Sequence, residues 1–182
     1  RGEFQLDNAA SALAAVEAMQ ARLPVDRDAI ESGLRSVRLA GRFQTVSLQP
    51  QILLDVTHNP HAAHALVDNL RQSKPAGKTL AVFAMLADKD IAGVVTALLP
   101  EIDRWYLSSV DHARSASVPE MLEIFNEISA VGPYAGFESL PAAFRQACLD
   151  AGKNDRIIVF GSFFTVAEVM QELPASAASA SR

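Results

Sequence analysis

Short apolar runs that alternate with helical patterns constrain this chain more than any other feature. The runs are Ile52-Leu53-Leu54, Thr79 to Met85, Trp105 to Ser109 and Arg156 to Phe160. A strand that is apolar on consecutive residues suits burial on both faces, which is the environment inside a parallel sheet. Helical stretches at Asp90 to Leu99, Pro119 to Ile128 and Leu140 to Asp150 separate the runs, and a last one covers Phe163 to Glu172. Regular alternation of this kind implies crossover connections and helices packed against one sheet. Tyr134 to Phe137 reads as a further short strand, and Arg42 to Leu48 with Gln51 to Val56, joined across Gln49-Pro50, reads as an antiparallel hairpin.

The predicted fold class is α/β: a Rossmann-like, mainly parallel sheet flanked by helices, with an N-terminal antiparallel hairpin. Ahead of it, the alanine-rich run Asn8 to Met19 predicts a helix with Leu13, Val16 and Met19 toward a core. Leu23-Pro24 ends that helix, and Asp26 caps a second one that runs to about Leu34. Ser36 to Gly41 is then a connector and the expected domain boundary, so that residues 1–40, 41–173 and 174–182 form three parts. The last of these, PASAASASR, is low in complexity and is expected to be disordered. Because the chain opens at Arg1 and enters helical pattern at once, it reads as a piece of something longer.

Charge and cysteine content narrow the function classes. A net charge of −5 gives no basic field for a phosphate backbone, which argues against nucleic acid and requires any anionic substrate to be met by local groups. One cysteine, Cys148, excludes an internal disulfide framework and fits a reducing cytoplasm. No run approaches the roughly 18 apolar residues that span a bilayer, so a membrane is not an expected partner.

The stretch Gln51 to Leu70 shows where chemistry can sit. Its apolar start gives way abruptly to Asp55, Thr57, His58 and Asn59, after which Pro60 opens a helix whose Ala63, Leu66, Val67 and Leu70 share a face. Asn59 suits the N-cap and Pro60 the first helical turn. Ligands of open α/β sheets bind at the carboxyl ends of the strands, where helix starts favour anions. Other strand ends carry Met85-Leu86-Ala87-Asp88-Lys89-Asp90, Asp111-His112-Ala113-Arg114-Ser115 and Gly161-Ser162. Individually, Asp88, Asp90 and Ser162 suit helix caps and Arg114 a solvated charge. Their shared placement on one rim favours a functional crevice.

Two tempting motifs fail. Gly77-Lys78-Thr79 lacks the glycine that a phosphate loop needs five residues earlier, where Gln72 stands, and it precedes a strand instead of opening a helix. His58, His61 and His64, with Asp55 and Asp68 nearby, are suitable metal ligands in type. However, His61 and His64 fit a solvated helix face better, and no metal site is predicted.

Taken together, Gly41-Arg42-Phe43-Gln44, Asp55-Val56-Thr57-His58-Asn59-Pro60-His61-Ala62-Ala63, Met85 to Asp90 and Gly161-Ser162-Phe163-Phe164-Thr165-Val166-Ala167 resemble the carboxy-terminal part of the bacterial folylpolyglutamate synthase/dihydrofolate synthase family, in the Mur ligase superfamily. The resemblance runs from Asn8 to about Glu172, with Thr57 standing where that family usually has alanine. It implies the Mur ligase C-terminal domain type of fold and an ATP-dependent ligase. Such an enzyme phosphorylates a carboxylate of dihydropteroate or a folate and lets the amine of L-glutamate attack the acyl phosphate. It also implies that the phosphate loop and most Mg2+ ligands belong to a central ATPase domain, of which residues 1–40 are a remnant. By position, Asn8, Arg42 and Asp55 match the nucleotide side, while His58, Asn59 and Ser162 match the glutamate side, with His58 and Ser162 nearest the amide-forming step. The implied partners are ATP, L-glutamate, the pterin substrate and the chain's own ATPase domain, in a monomer. A peptidoglycan-precursor ligase of the same superfamily and a non-catalytic α/β ligand-binding module are the alternative readings.

Overall fold

A computed structural model of the chain describes residues 3–37 and 39–173. The expected disordered tail at 174–182 lies outside the described residues. The chain divides into two compact units that meet in sequence between Leu39 and Ala40.

The first unit holds α1 (Glu3–Met19) and α2 (Arg27–Ser36). Asp26 caps α2 by accepting the Ala29 N–H, and Glu31 pairs with Arg27 and Arg35 one turn away on either side. The expected inward face of α1 is not buried. Leu13 is 38% and Met19 41% exposed, and Val16 is half-buried. Two helices of this length supply no second layer to cover such a face, and α2 itself has no buried residue.

In the second unit, β1 (Gln44–Leu48), β2 (Gln51–Leu54), β3 (Thr79–Phe83), β4 (Arg104–Leu107), β5 (Tyr134–Gly136) and β6 (Arg156–Phe160) form one sheet in the order β1-β2-β6-β3-β4-β5. β1 and β2 are antiparallel, and every other neighbouring pair is parallel. Both faces are covered. α3 (Pro60–Gln72), α4 (Ile91–Leu98) and α5 (Val118–Glu127) pack on one side with Leu53, Ala81, Phe83, Ile158 and Phe160. α6 (Leu140–Asp150) and α7 (Phe163–Glu172) pack on the other with Leu54, Leu80, Val82, Ile157 and Val159. Successive strand residues thus feed opposite cores, which is why β3 and β6 are apolar without interruption.

The strands are shorter than their apolar runs. β1 starts at Gln44 and not at Arg42, because residues 41–43 turn, with positive φ at Gly41 and Phe43. β3 ends at Phe83 because the next residues join a loop in which Ala116 N–H bonds the Met85 carbonyl. At the amino end of β6 a buried charge ties the strand to its neighbours. Arg156 donates to the Leu70 and Ser73 carbonyls at the end of α3 and to Thr79 Oγ1 in β3. Its guanidinium thereby satisfies orphan carbonyls of a helix C-terminus, where positive charge is favoured. Among the described residues no helix is long and apolar enough to cross a membrane.

Candidate functional site

The carboxyl ends of β2, β6 and β3 lie side by side, and the chain leaves them in loops held by short hydrogen bonds. β6 sits between β2 and β3 although it comes last in sequence, so the Gly161-Ser162 turn opens beside Asp55 to Asn59. Asp55 N–H continues the pairing by donating to the Val159 carbonyl at 2.9 Å.

Asp55 organises the first corner. The side chain is 8% exposed, and its Oδ2 accepts Phe43 N–H at 2.8 Å. Its Oδ1 accepts both Thr57 N–H at 2.8 Å and the Thr57 hydroxyl at 2.6 Å. Val56 N–H donates to the Gly41 carbonyl, and Gly41 N–H donates to Gln44 Oε1. Gly41 is required twice over, by φ +68 and by a Cβ that would lie 2.8 Å from Val56 Cγ1. Phe43, with φ 45, is a bulky residue in left-handed backbone, a conformation that costs about 1–3 kcal/mol and persists only where its surroundings enforce it. Between these two residues the corner lifts Arg42 into solvent, with its guanidinium carbon 5.9 Å from the centroid of the Phe163 ring.

His58 follows on the same loop and is half-buried. Its Nδ1 lies 2.8 Å from the Val56 carbonyl, an acceptor only, so Nδ1 carries the proton and Nε2 is left for a ligand. Asn59 accepts Ala62 N–H and caps α3 as its sequence predicts, and Pro60 takes the first helical position. At the neighbouring turn, Gly161 has φ +123, and a Cβ there would collide with the Ala84 carbonyl. Ser162, buried, caps α7 through Thr165 N–H, and its Oγ is 2.7 Å from Thr165 Oγ1. Thr165 in turn donates to the Ala84 carbonyl at the end of β3, tying the two loops together.

The remaining rim is built from two zipped loops. Ala87 N–H bonds the Arg114 carbonyl and Ala116 N–H the Met85 carbonyl, which brings Lys89 Nζ and Arg114 Nη1 to 3.3 and 3.6 Å from Asp88 Oδ2. Asp90 caps α4. The His112 and Phe164 rings meet at a tilt with centroids 4.3 Å apart, and His112 also lines a cleft of about 600 Å³ with Ser109, Ser115, Ser117 and Glu138.

The remaining sequence candidates lie on other elements. Asn8 is an exposed residue of α1 in the first unit. His61 and His64 are exposed on α3, and among the described residues no group of three or more His, Cys, Asp or Glu is placed to hold a metal. The Gly77 and Lys78 N–H groups are spent on Asn154 O and Asp155 Oδ1, so they cradle no phosphate. Sequence reasoning missed two contributors, the Phe163 ring beneath Arg42 and the Thr165 hydroxyl beside Ser162. Their only signal was adjacency to Gly161-Ser162.

Residues 41–163 match the family model described as Mur ligase, glutamate ligase domain. The chain is similar to the dihydrofolate synthase/folylpolyglutamate synthase of Escherichia coli K12, with 41% identity over 168 residues, 92% of this chain and 38% of the relative. It therefore spans well under half the length of that relative. Among solved structures it resembles E. coli FolC in complex with DHPP and ADP, with a TM-score of 0.81 and 41% identity, covering 91% of this chain and 38% of that one. A bifunctional folylpolyglutamate synthase/dihydrofolate synthase with Mn, AMPPNP and L-glutamate bound matches with a TM-score of 0.81 and 44% identity, over 92% of this chain and 39% of that one.

Proposed function

The chain belongs to the Mur ligase family through its glutamate ligase domain, and from that premise we propose that it is the carboxy-terminal part of an ATP-dependent ligase that joins L-glutamate to dihydropteroate, to folates or to both. In this reading residues 1–40 are the end of a central ATPase domain and its linker, residues 41–173 are the ligase domain, and residues 174–182 are a tail. The whole enzyme works as a cytoplasmic monomer. The observation that carries the proposal is the single rim on which Arg42, Asp55, His58, Asn59 and Ser162 meet, between the starts of α3 and α7.

The chemistry divides along that rim. An exposed guanidinium beside helix N-termini fits the phosphates of ATP, for which arginine offers a planar set of donors. Asp55 serves the nucleotide side by fixing the Arg42 corner, and its carboxylate has acceptor capacity beyond the three donors it already receives. Asn8 contributes from the preceding domain. His58, Asn59 and Ser162 serve L-glutamate, whose amine must be neutral to attack the acyl phosphate and expel phosphate as the amide forms. Asn59 and Ser162 place the starts of α3 and α7 toward substrate carboxylates, and His58 offers Nε2. In this reading Mg2+ is held mostly by the central domain, and among the described residues no group of three or more His, Cys, Asp or Glu is placed to hold it.

The test uses a protein that carries this chain behind a complete central domain. Arg42→Ala should impair acyl-phosphate formation, trapped in the absence of glutamate. His58→Ala and Ser162→Ala should spare that half reaction and raise the glutamate KM or slow amide formation, each by roughly 10- to 150-fold for a lost charge-assisted bond. Equal loss of the half reaction in all three variants would refute the division.

A further inference from the structure

Phe163 is a large apolar side chain at the first turn of α7, yet it remains 58% exposed. The buried face of that helix is made by Thr165, Val166 and Val169, so the ring is not needed to fill the core. What it does face is Arg42, whose guanidinium carbon lies 5.9 Å from the ring centroid. Arg42 stands on a corner whose backbone is fixed by Asp55, Gln44 and Val56, while no ion pair or hydrogen bond of its side chain to a carboxylate is seen among the described residues. A long, flexible, exposed arginine loses much side-chain entropy when it must hold one geometry. A ring face beneath the guanidinium limits that freedom without consuming any of the N–H donors, which a carboxylate partner would occupy.

We propose that Phe163 is a positioning residue for the nucleotide step, its ring holding the Arg42 guanidinium over the crevice with its donors free for phosphate. The proposal rests on the nucleotide reading of Arg42 given above. It also gives the Gly161-Ser162-Phe163 turn two duties: Ser162 faces the glutamate side, and the next residue steadies the nucleotide side. A change in α7 position would then be felt by both halves of the reaction at once.

The experiment uses the complete 182-residue chain and two readouts, NMR of the Arg42 side chain and titration with ADP. In the unsubstituted chain the Arg42 side-chain protons should be shifted upfield by the ring current of Phe163. Phe163→Leu, which keeps apolar bulk but has no π face, should abolish that shift and weaken ADP binding about two- to fivefold, the range expected of an exposed cation–π contact. Phe163→Trp should restore both. Absence of an upfield shift in the unsubstituted chain overturns the proposal. So does unchanged ADP binding in Phe163→Leu, or a loss that Phe163→Trp fails to rescue, since either shows that the ring acts at most as apolar cover. Arg42→Ala separates this from failure of the underlying reading: if it weakens ADP binding and Phe163→Leu does not, only the role of Phe163 falls. If Arg42→Ala leaves ADP binding unchanged, the nucleotide assignment itself is wrong and takes the proposal with it.

Discussion

Asp55 fixes three donors with one carboxylate, and Arg156 satisfies acceptors from α3 and β3 with one guanidinium. Both are buried, so neither can exchange its partners for water without cost. Asp55→Asn replaces one acceptor oxygen with an amide donor that faces an N–H, and it should destabilise the chain by about 1–3 kcal/mol in urea denaturation. An unchanged midpoint would show that the Arg42 corner holds without the carboxylate. Burial shifts the Arg156 pKa down to about 10, and its Nε has no hydrogen-bond partner among the described residues. Arg156→Lys keeps the charge but loses the fork that reaches α3 and β3 together. We expect a loss of about 1.5–3 kcal/mol, again read from the urea midpoint. These two residues act at opposite ends of the same parallel pairing, Asp55 beyond the end of β2 and Arg156 at the start of β6.

Between elements, the links that matter are side-chain bonds from strands to the helices covering them. Tyr106 in β4 donates to Asp150 at the end of α6 at 2.7 Å, and Arg104 reaches the same carboxylate oxygen. Burial, and then the bond to Asp150, push the Tyr106 phenol above its ordinary value of 10.0. The folded chain therefore prefers the protonated phenol, a contribution intact below about pH 10 and lost as pH rises further. The Tyr106 bond, helped by Gln146 and Arg104, holds Asp150 below its ordinary 3.8, a contribution intact above about pH 4 and lost as pH falls. Stability measured against pH should accordingly fall at both ends, and Tyr106→Phe should flatten both limbs. If the two limbs keep their slopes in that variant, the pair is not coupled to folding. At the crevice, the equivalent link is Thr165 to Ala84. Thr165→Val keeps the shape of the side chain but leaves the buried Ala84 carbonyl without this donor, and should cost about 1–3 kcal/mol by thermal or urea denaturation.

At the scale of the whole molecule, the two units differ in how much they bury. The second has apolar cores on both faces of its sheet, whereas α1 and α2 leave Leu6, Leu13, Met19 and Leu34 exposed. Local opening follows burial, so limited proteolysis should cut first between Leu23 and Gly41 and spare Thr79 to Phe160. First cleavage within that central stretch would contradict the unit boundary. A chain without a phosphate cradle should also bind ATP weakly and release no glutamate-dependent phosphate, since positioning and charge stabilisation supply most of phosphoryl-transfer catalysis. A phosphate-release assay with and without L-glutamate checks this, and appreciable turnover would refute the reading of the site.

Local patterns in the sequence determined the element types, the hairpin, the cap at Asn59 and the strand ends that carry polar clusters. They did so because periodicity, capping and turn chemistry act between residues close in the chain. Asp55, His58, Asn59 and Ser162 could be picked out for the same reason, as polar residues that follow apolar runs, whereas Arg42 was marked only by the family resemblance. Lateral order was not legible. That β6 inserts between β2 and β3, so that Phe163 comes beneath Arg42 and Thr165 reaches Ala84, depends on which strands pair across the sheet, and a fully apolar strand such as β3 or β6 carries no local mark of its neighbours. The same limit explains Leu13 and Met19, since an apolar stripe in sequence shows that a helix has a face to bury but not what covers it. Tertiary structure alone decided both, because burial and strand pairing are properties of the assembled layers and not of any one segment.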